Sequence, residues 1–270
     1  MIITEIECKS ALTKSGIEGV DYALNPYVGC AHGCLYCYAI FMKRFTGHRE
    51  AWGEFVDVRV NVAQVLARQL CRATPGKVLL GSVTDAYQPL EGRYSLTRAC
   101  LAALCGYDCF RVCILTKSPL VTRDLDILRS IPDVEVGFTI TTLDEAVRRD
   151  FEPQAAPSEE RLAALDELGR NGIPTFAFVG PILPFITDNE EELNALFGCL
   201  RKVGVGRVLV DGLNLRGSQW GRVKAIIERG YPHLLAEYQA LRRDQEPYRR
   251  ELWALVGRLM VRHGLVWERA

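Results

Sequence analysis

The middle of this chain repeats one short pattern, and that pattern limits the fold more than any other feature. VLLGSV (78–83), FRVCILT (110–116), VEVGFTIT (134–141), TFAFVGPI (175–182) and RVLVDGLNL (207–215) are apolar runs bounded by Gly, Pro or polar turns. Short runs of this kind read as buried parallel strands. Helical segments alternate with them. SLTRACLAALCGY opens on Ser95 as an N-cap and stops at Gly106. Ser158 to Gly169 follows Pro157 and spaces Leu162, Leu165 and Leu168 three apart, and Asn189 to Val203 has the same character. Strand–helix alternation calls for a parallel sheet with right-handed crossovers. With the lead-in to the cysteine-rich loop counted as a first strand, the pattern gives about six β/α units, whereas a closed eight-unit barrel usually takes about 250 residues. The expectation is an α/β fold, a partial (β/α)6 TIM-like barrel over residues 25–217. Residues 1–24 are its lead-in. Residues 218–270, broken at Gly230-Tyr231-Pro232 and Glu246-Pro247, read as a C-terminal helical extension packed on the barrel.

The stretch NPYVGCAHGCLYCYA (25–39) places Cys30, Cys34 and Cys37 within eight positions. Three thiolates on one loop suit three corners of a cubane [4Fe–4S] cluster, which leaves the fourth iron open to a ligand. Gly29 and Gly33 give such a loop the backbone angles it needs. A second reading adds His32 to make a Cys3His zinc knuckle in a non-catalytic nucleic-acid module. His32 lies only two residues from either neighbouring cysteine, which is awkward for a tetrahedral ion.

Composition narrows the rest. Ten cysteines in 270 residues, with no basic-then-apolar start, do not describe a secreted disulfide framework. The longest apolar stretch, Ile173 to Ile186, is too short to span a bilayer and holds three prolines. A soluble, cytoplasmic protein with no membrane partner is expected. The formal net charge is zero, which leans against a large DNA substrate, but residues 216–270 carry 11 Lys or Arg against 6 Asp or Glu. That local excess is either a solvated helical face or a surface for a phosphate-bearing partner.

Cys30-x3-Cys34-x2-Cys37, with an aromatic just before the last cysteine, resembles the signature of radical S-adenosylmethionine (radical SAM) enzymes. Further segments resemble the spore photoproduct lyase-like branch, in order: GSVTDAYQPLE (81–91), LTKSPLVTRDLDIL (115–128), VGFTITTLD (136–144), FEP (151–153), GIPTFAFVGPILP (172–184) and LNLRG (213–217). The resemblance implies a [4Fe–4S] cluster on Cys30, Cys34 and Cys37. It implies that S-adenosylmethionine is cleaved reductively to a 5′-deoxyadenosyl radical that abstracts hydrogen from a substrate, with electrons from a donor such as a flavodoxin or ferredoxin. A nucleic acid or nucleotide is the first expectation for that substrate, and a peptide or small metabolite the alternative.

The same resemblance assigns residues. Ser82, Thr84 and Asp85 would meet the amino group of S-adenosylmethionine, and Lys117 its carboxylate. Thr139 lies on the fourth strand, bare backbone at Gly180 would meet the adenine, and Tyr36 would contact it from beside the cluster. Tyr87, Gln88 and Glu91 are the expected substrate contacts. Against these stand plain structural roles: caps for Ser82, Thr84 and Asp85, a surface position for Lys117, a strand end at Gly180, core packing for Tyr36. The match departs at VLLGSVTDAYQ, which lacks the hydrogen-donor cysteine of spore photoproduct lyase, so thymine-dimer repair is not expected. Cys100, Cys105, Cys109 and Cys113 read as packing residues, Cys8 or Cys71 as a substitute thiol, and Glu152–Arg161 as a structural pair.

Overall fold

The computed structural model describes residues 1–269. The chain opens with β1 (Ile2–Ile6), β2 (Leu12–Lys14), β3 (Tyr22–Leu24) and β4 (Tyr27–Val28), and β5 (Phe55–Arg59) follows the cysteine loop. The repeating strands are β6 (Gly76–Leu80), β7 (Phe110–Thr116), β8 (Val134–Thr139), β9 (Thr175–Ile182) and β10 (Arg207–Gly212), and β11 (Val266–Arg269) comes last. The main sheet runs β11-β10-β9-β8-β7-β6-β3-β2. It is parallel throughout except for β2, which pairs antiparallel with β3. Consecutive strands are neighbours, as right-handed β/α winding requires. With β2 and β11 on its two edges, this is a partial barrel. A small second sheet, β1-β5-β4, closes over the cysteine loop.

Three expectations need correcting. The tail is not purely helical. After the helix Glu246–His263, Gly264 turns at positive φ and VWER adds β11 alongside β10. Four residues carry too little periodicity to announce a strand. The first barrel strand, β3, also lies before Asn25. Finally, Ser95 does not cap its helix with its side chain. It sits at φ 51°, and the Glu91 carboxylate accepts the Thr97 and Arg98 N–H groups at 3.0 and 3.2 Å instead. The helices Ser158–Arg170 and Glu190–Lys202 stand where the leucine spacing put them, and Asn189 caps the second through the Glu192 N–H at 2.9 Å.

One face of each strand packs on the helices and the other lines the barrel interior. On β10, Val208 and Val210 are fully buried, whereas Arg207, Leu209 and Asp211 alternate with them toward the interior. The strand register stacks these residues in layers. At the N-terminal end, Glu135 takes Lys77 at 2.9 Å, Arg207 at 2.6 Å and Arg111 at 3.4 Å, a charged plug across four strands. Higher up, Gly137 leaves room for the Phe176 ring, which a Cβ would meet at 2.2 Å. The interior is therefore filled from below and open at the C-terminal strand ends, where barrel enzymes carry their sites. Among the described residues no helix is long and apolar enough to cross a membrane.

The Gly137–Phe176 contact gives a direct test of this packing. Gly137→Ala is expected to cost about 1–3 kcal/mol through overpacking, read as a lower urea midpoint at unchanged slope. Adding Phe176→Leu should recover most of the loss.

Candidate functional site

The cysteine loop leaves β4 and crosses the C-terminal mouth of the barrel. Irregular backbone at a buried position needs a partner for every N–H and C=O, and here the partners come from distant segments. Gln88 accepts the Ala31 N–H at 2.8 Å, and the Thr84 hydroxyl donates to the Gly29 carbonyl at 2.5 Å. Arg222, from the helix Trp220–Gly230, donates to the Gly33 and Cys34 carbonyls at 3.0 and 3.2 Å. The FEPQ turn adds two more bonds: Leu35 N–H to the Phe151 carbonyl at 2.8 Å, and Gln154 N–H to the His32 carbonyl at 3.3 Å. Gly29 (φ 88°) is required as glycine, because a Cβ there would lie 2.4 Å from the Phe55 carbonyl oxygen.

Cys30 and Cys34 are buried and Cys37 is half-buried. Burial raises all three thiols, Cys34 to about 12. A metal centre would supply the positive charge that lets them ionise. Beside Cys37 stands a donor suited to a thiolate. Trp52 Nε1 is buried without an oxygen or nitrogen partner, and after the Ala39 N–H and Lys117 it opposes the larger rise that burial gives the Cys37 thiol.

His32 is not available as a fourth ligand. Its Nδ1 lies 3.2 Å from the Gln154 carbonyl and its Nε2 3.2 Å from Asp85 Oδ2. No group of three or more His, Cys, Asp or Glu side chains among the described residues is arranged around a single ion. With both ring nitrogens of His32 engaged, the loop offers three thiols and no fourth ligand, which fits a centre that takes one corner from each.

Several expected contact residues are hydrogen-bonded within the protein. Asp85 is buried and saturated, accepting from Thr116 Oγ1 and the Lys117 N–H at 2.7 Å each and facing His32. Burial alone would raise its carboxyl, but His32 and these donors outweigh it and hold the group at about 2. Thr84 is spent between Gly29 and Gln88. Tyr87, Gln88 and Glu91, expected to touch substrate, are all fully buried. The Tyr87 hydroxyl donates to Asp124 at 3.0 Å. Glu91 binds the Tyr27 hydroxyl, Arg123 at 3.0 Å and the two helix N–H groups. Gly180 does not present bare backbone, because the Phe178 ring covers it, 2.5 Å from where a Cβ would start. Thr139 is buried at the end of β8 with its carbonyl held by Arg161 at 2.9 Å.

What remains open at the mouth is smaller. The Ser82 hydroxyl accepts from Asn25 at 3.0 Å and keeps its own proton to donate. Lys117 is half-buried at the end of β7, 5.7 Å above the Tyr36 ring, with no ion pair among the described residues. Burial pulls its ammonium down, but Cys34 and Glu152 outweigh that and raise it. Tyr36 itself is buried, its hydroxyl on Glu152.

Glu152 also accepts from Thr141 at 3.0 Å and pairs with the fully buried Arg161, so the expected structural pair exists and carries Tyr36 with it. Asp211 was not foreseen. It continues the interior face of β10 at the mouth, without an ion pair among the described residues, and burial raises its carboxyl to about 6. The available signal was a carboxylate inside the apolar run RVLVDG.

The remaining cysteines do not gather. Cys100 and Cys113 pack as expected, Cys105 is half-buried, and Cys109 is exposed rather than packed. Cys8 is bonded through its backbone to the Asn61 side chain at the start of the helix Val62–Leu70, and the exposed Cys71 lies 3.3 Å from the Tyr107 hydroxyl after the end of that helix.

A family model, the Radical SAM superfamily, matches residues 24–197. The chain belongs to the radical SAM superfamily. Its cofactors are a [4Fe–4S] cluster and S-adenosylmethionine, and its fold is that of the spore photoproduct lyase-like branch. Spore photoproduct lyase complexed with dinucleoside spore photoproduct superposes with a TM-score of 0.73 at 19% identity, over 99% of this chain and 82% of that one. An uncharacterized protein of Methanocaldococcus jannaschii is 34% identical over 230 residues, 85% of this chain and 84% of its own length. The radical SAM Nalpha-GlyT isomerase of Pseudomonas phage M6 is 25% identical over 258 residues, 90% of this chain and 52% of its own length.

Two measurements test the site's supports. Arg161→Ala leaves Glu152 buried without its counter-charge and is expected to cost about 3–5 kcal/mol in urea unfolding, with Glu152→Gln/Arg161→Met milder than the single change. Asp211 has a raised pKa, so the folded state favours its neutral form. Its contribution is fully present below about pH 4 and is lost as pH rises through about 6. Asp211→Asn should therefore gain stability over the parent at neutral pH, on the order of 2 kcal/mol. The gain should vanish in acid, as read from melting temperatures across pH.

Proposed function

We propose that Cys30, Cys34 and Cys37 hold three irons of the [4Fe–4S] cluster, and that the enzyme acts on a nucleic-acid or nucleotide substrate. The observation that carries this reading is the loop itself. Its backbone is bonded by remote side chains, while its three cysteines are free thiols, with the His32 N–H beside Cys30 and the Ala39 and Trp52 N–H groups beside Cys37. When bound, the cluster supplies the electron that cleaves S-adenosylmethionine and yields a 5′-deoxyadenosyl radical.

The chain's own residues have three tasks in this reading. Lys117 offers an uncommitted ammonium to the methionyl carboxylate, and Ser82 offers a hydroxyl donor beside it. Tyr36, fixed by Glu152, holds an aromatic face between the loop and Lys117. The charged plug at Glu135 keeps water from entering the barrel from below. Electrons come from an external donor of the flavodoxin or ferredoxin kind.

The substrate class rests on the likeness to spore photoproduct lyase with its dinucleoside ligand and on the basic residues of the C-terminal helices. Dimer repair is not part of the proposal, since the turn Gly81–Gln88 contains no cysteine.

Anaerobic reconstitution followed by dithionite and S-adenosylmethionine tests the reading. The expected outcome is a broad absorbance near 400 nm, roughly where thiolate-bound clusters absorb, together with 5′-deoxyadenosine by mass. Cys34→Ala should lose both. A protein that binds iron in the same amount without Cys34 would refute the ligand assignment.

A further inference from the structure

A cleft of about 570 Å³ opens beside the mouth, lined by Arg216, Trp220, Gln239, Arg242 and Arg243. Arg216 follows β10, and Trp220 begins the helix Trp220–Gly230. The other three come from the helix Leu235–Arg243. The cleft joins the cysteine loop through that first helix: two residues after Trp220, Arg222 holds the carbonyls of Gly33 and Cys34. Both helices pack on one apolar cluster with Cys34 and Tyr36, through Val223, Ile227, Tyr238 and Leu241. The Tyr238 hydroxyl pins the second helix to the Pro184 carbonyl at 2.9 Å. The cleft is thus a rigid extension of the mouth.

Its chemistry is one-sided. The three guanidinium groups are exposed, and none makes an ion pair among the described residues, so all three are free to meet an anion. Arg242 instead lies 5.2 Å over the Trp220 ring. A basic groove with an aromatic platform is how proteins grip a single strand of nucleic acid. The arginines meet successive phosphates and a base stacks on the ring. The same arginines account for much of the positive excess in residues 216–270.

We infer that this cleft binds the phosphodiester backbone of a nucleic-acid strand, next to the nucleotide presented to the mouth, with Trp220 as the stacking surface for a flanking base. The inference rests on the proposed reading, because a strand anchored here matters only if chemistry takes place at the adjacent loop. The cleft nevertheless has a readout of its own.

The reconstituted protein is titrated with a fluorescein-labelled single-stranded oligonucleotide about ten nucleotides long, across a salt series. Saturable binding is expected, with log K falling by about 2 per tenfold rise in salt, as for three phosphates on a single strand. Arg242→Ala/Arg243→Ala should weaken binding at least tenfold and reduce that slope to about 0.7, one phosphate's worth. Arg242→Lys/Arg243→Lys should keep the slope. Trp220→Leu should weaken binding about tenfold with the slope unchanged, since stacking is uncharged. Iron content and melting temperature verify that each variant is folded.

Absent binding by the parent, or equal affinity and slope in the double alanine variant, would overturn the inference. So would equal displacement by a mononucleotide or an acidic peptide of matched charge. Formation of 5′-deoxyadenosine by the parent is scored separately. A protein that grips the strand yet forms none sinks the radical reading and leaves the cleft standing.

Discussion

The structure depends on holding still an irregular loop that has only two turn bonds of its own, Gly33 N–H to the Cys30 carbonyl and Cys37 N–H to the Cys34 carbonyl. Between Gly29 and Cys37 the backbone finds partners in a turn near residue 85, a turn at 151–154 and a helix near residue 222. At the centre of this arrangement is the buried Glu152–Arg161 pair. A buried ion pair is seldom chosen for stability alone, because desolvation offsets much of its attraction. The pair also fixes other groups. Arg161 holds the Thr139 and Ala156 carbonyls, and Glu152 holds Tyr36 and Thr141. The cost of burial is offset by positional accuracy at the cysteines, where small displacements matter most.

That arrangement explains why so many polar residues of the GSVTDAYQPLE segment are inaccessible. Thr84, Asp85, Tyr87, Gln88 and Glu91 all hydrogen-bond inward, so the segment serves as a clamp. The reactive opening is left with few polar groups: Ser82, Lys117 and Asp211. With so few polar groups, each remaining one carries more of any recognition at the opening. The Glu135 plug at the other end closes the second route for solvent.

Much of this architecture is legible in the sequence, and the rest fails for identifiable reasons. Alternating apolar runs and leucine spacing locate the parallel strands and the helices at 158–170 and 190–202, because burial on both faces and three-residue periodicity are local properties. The cysteine spacing is local too. What cannot be seen is the direction of a polar side chain. Gln88 and Glu91 look like mouth residues by position, yet one residue's phase decides whether a group faces substrate or backbone. Arg222 is invisible as a loop anchor because its partners lie 188 and 189 residues away. β11 escapes notice because its pairing partner, not its composition, makes it a strand. Asp211 is the opposite case, a charge standing within the apolar run RVLVDG.

The C-terminal helices join the two halves of the site. A helix that supplied only packing would need apolar residues alone, and Val223, Ile226 and Ile227 meet that need. The same helix also sends Arg222 to the cysteine loop and Trp220 to the basic cleft. Neither role improves the core, and each exposes or buries a costly polar or aromatic group. Their coincidence on the first turn of one helix makes the distance between loop and cleft a fixed quantity, independent of any flexible linker. In the inferred reading, a strand seated across three guanidinium groups would be presented at a set distance from the thiols. The fold spends its least barrel-like segment on spacing the reactants, which is the contribution a protein can make when the bond-breaking chemistry belongs to its cofactors.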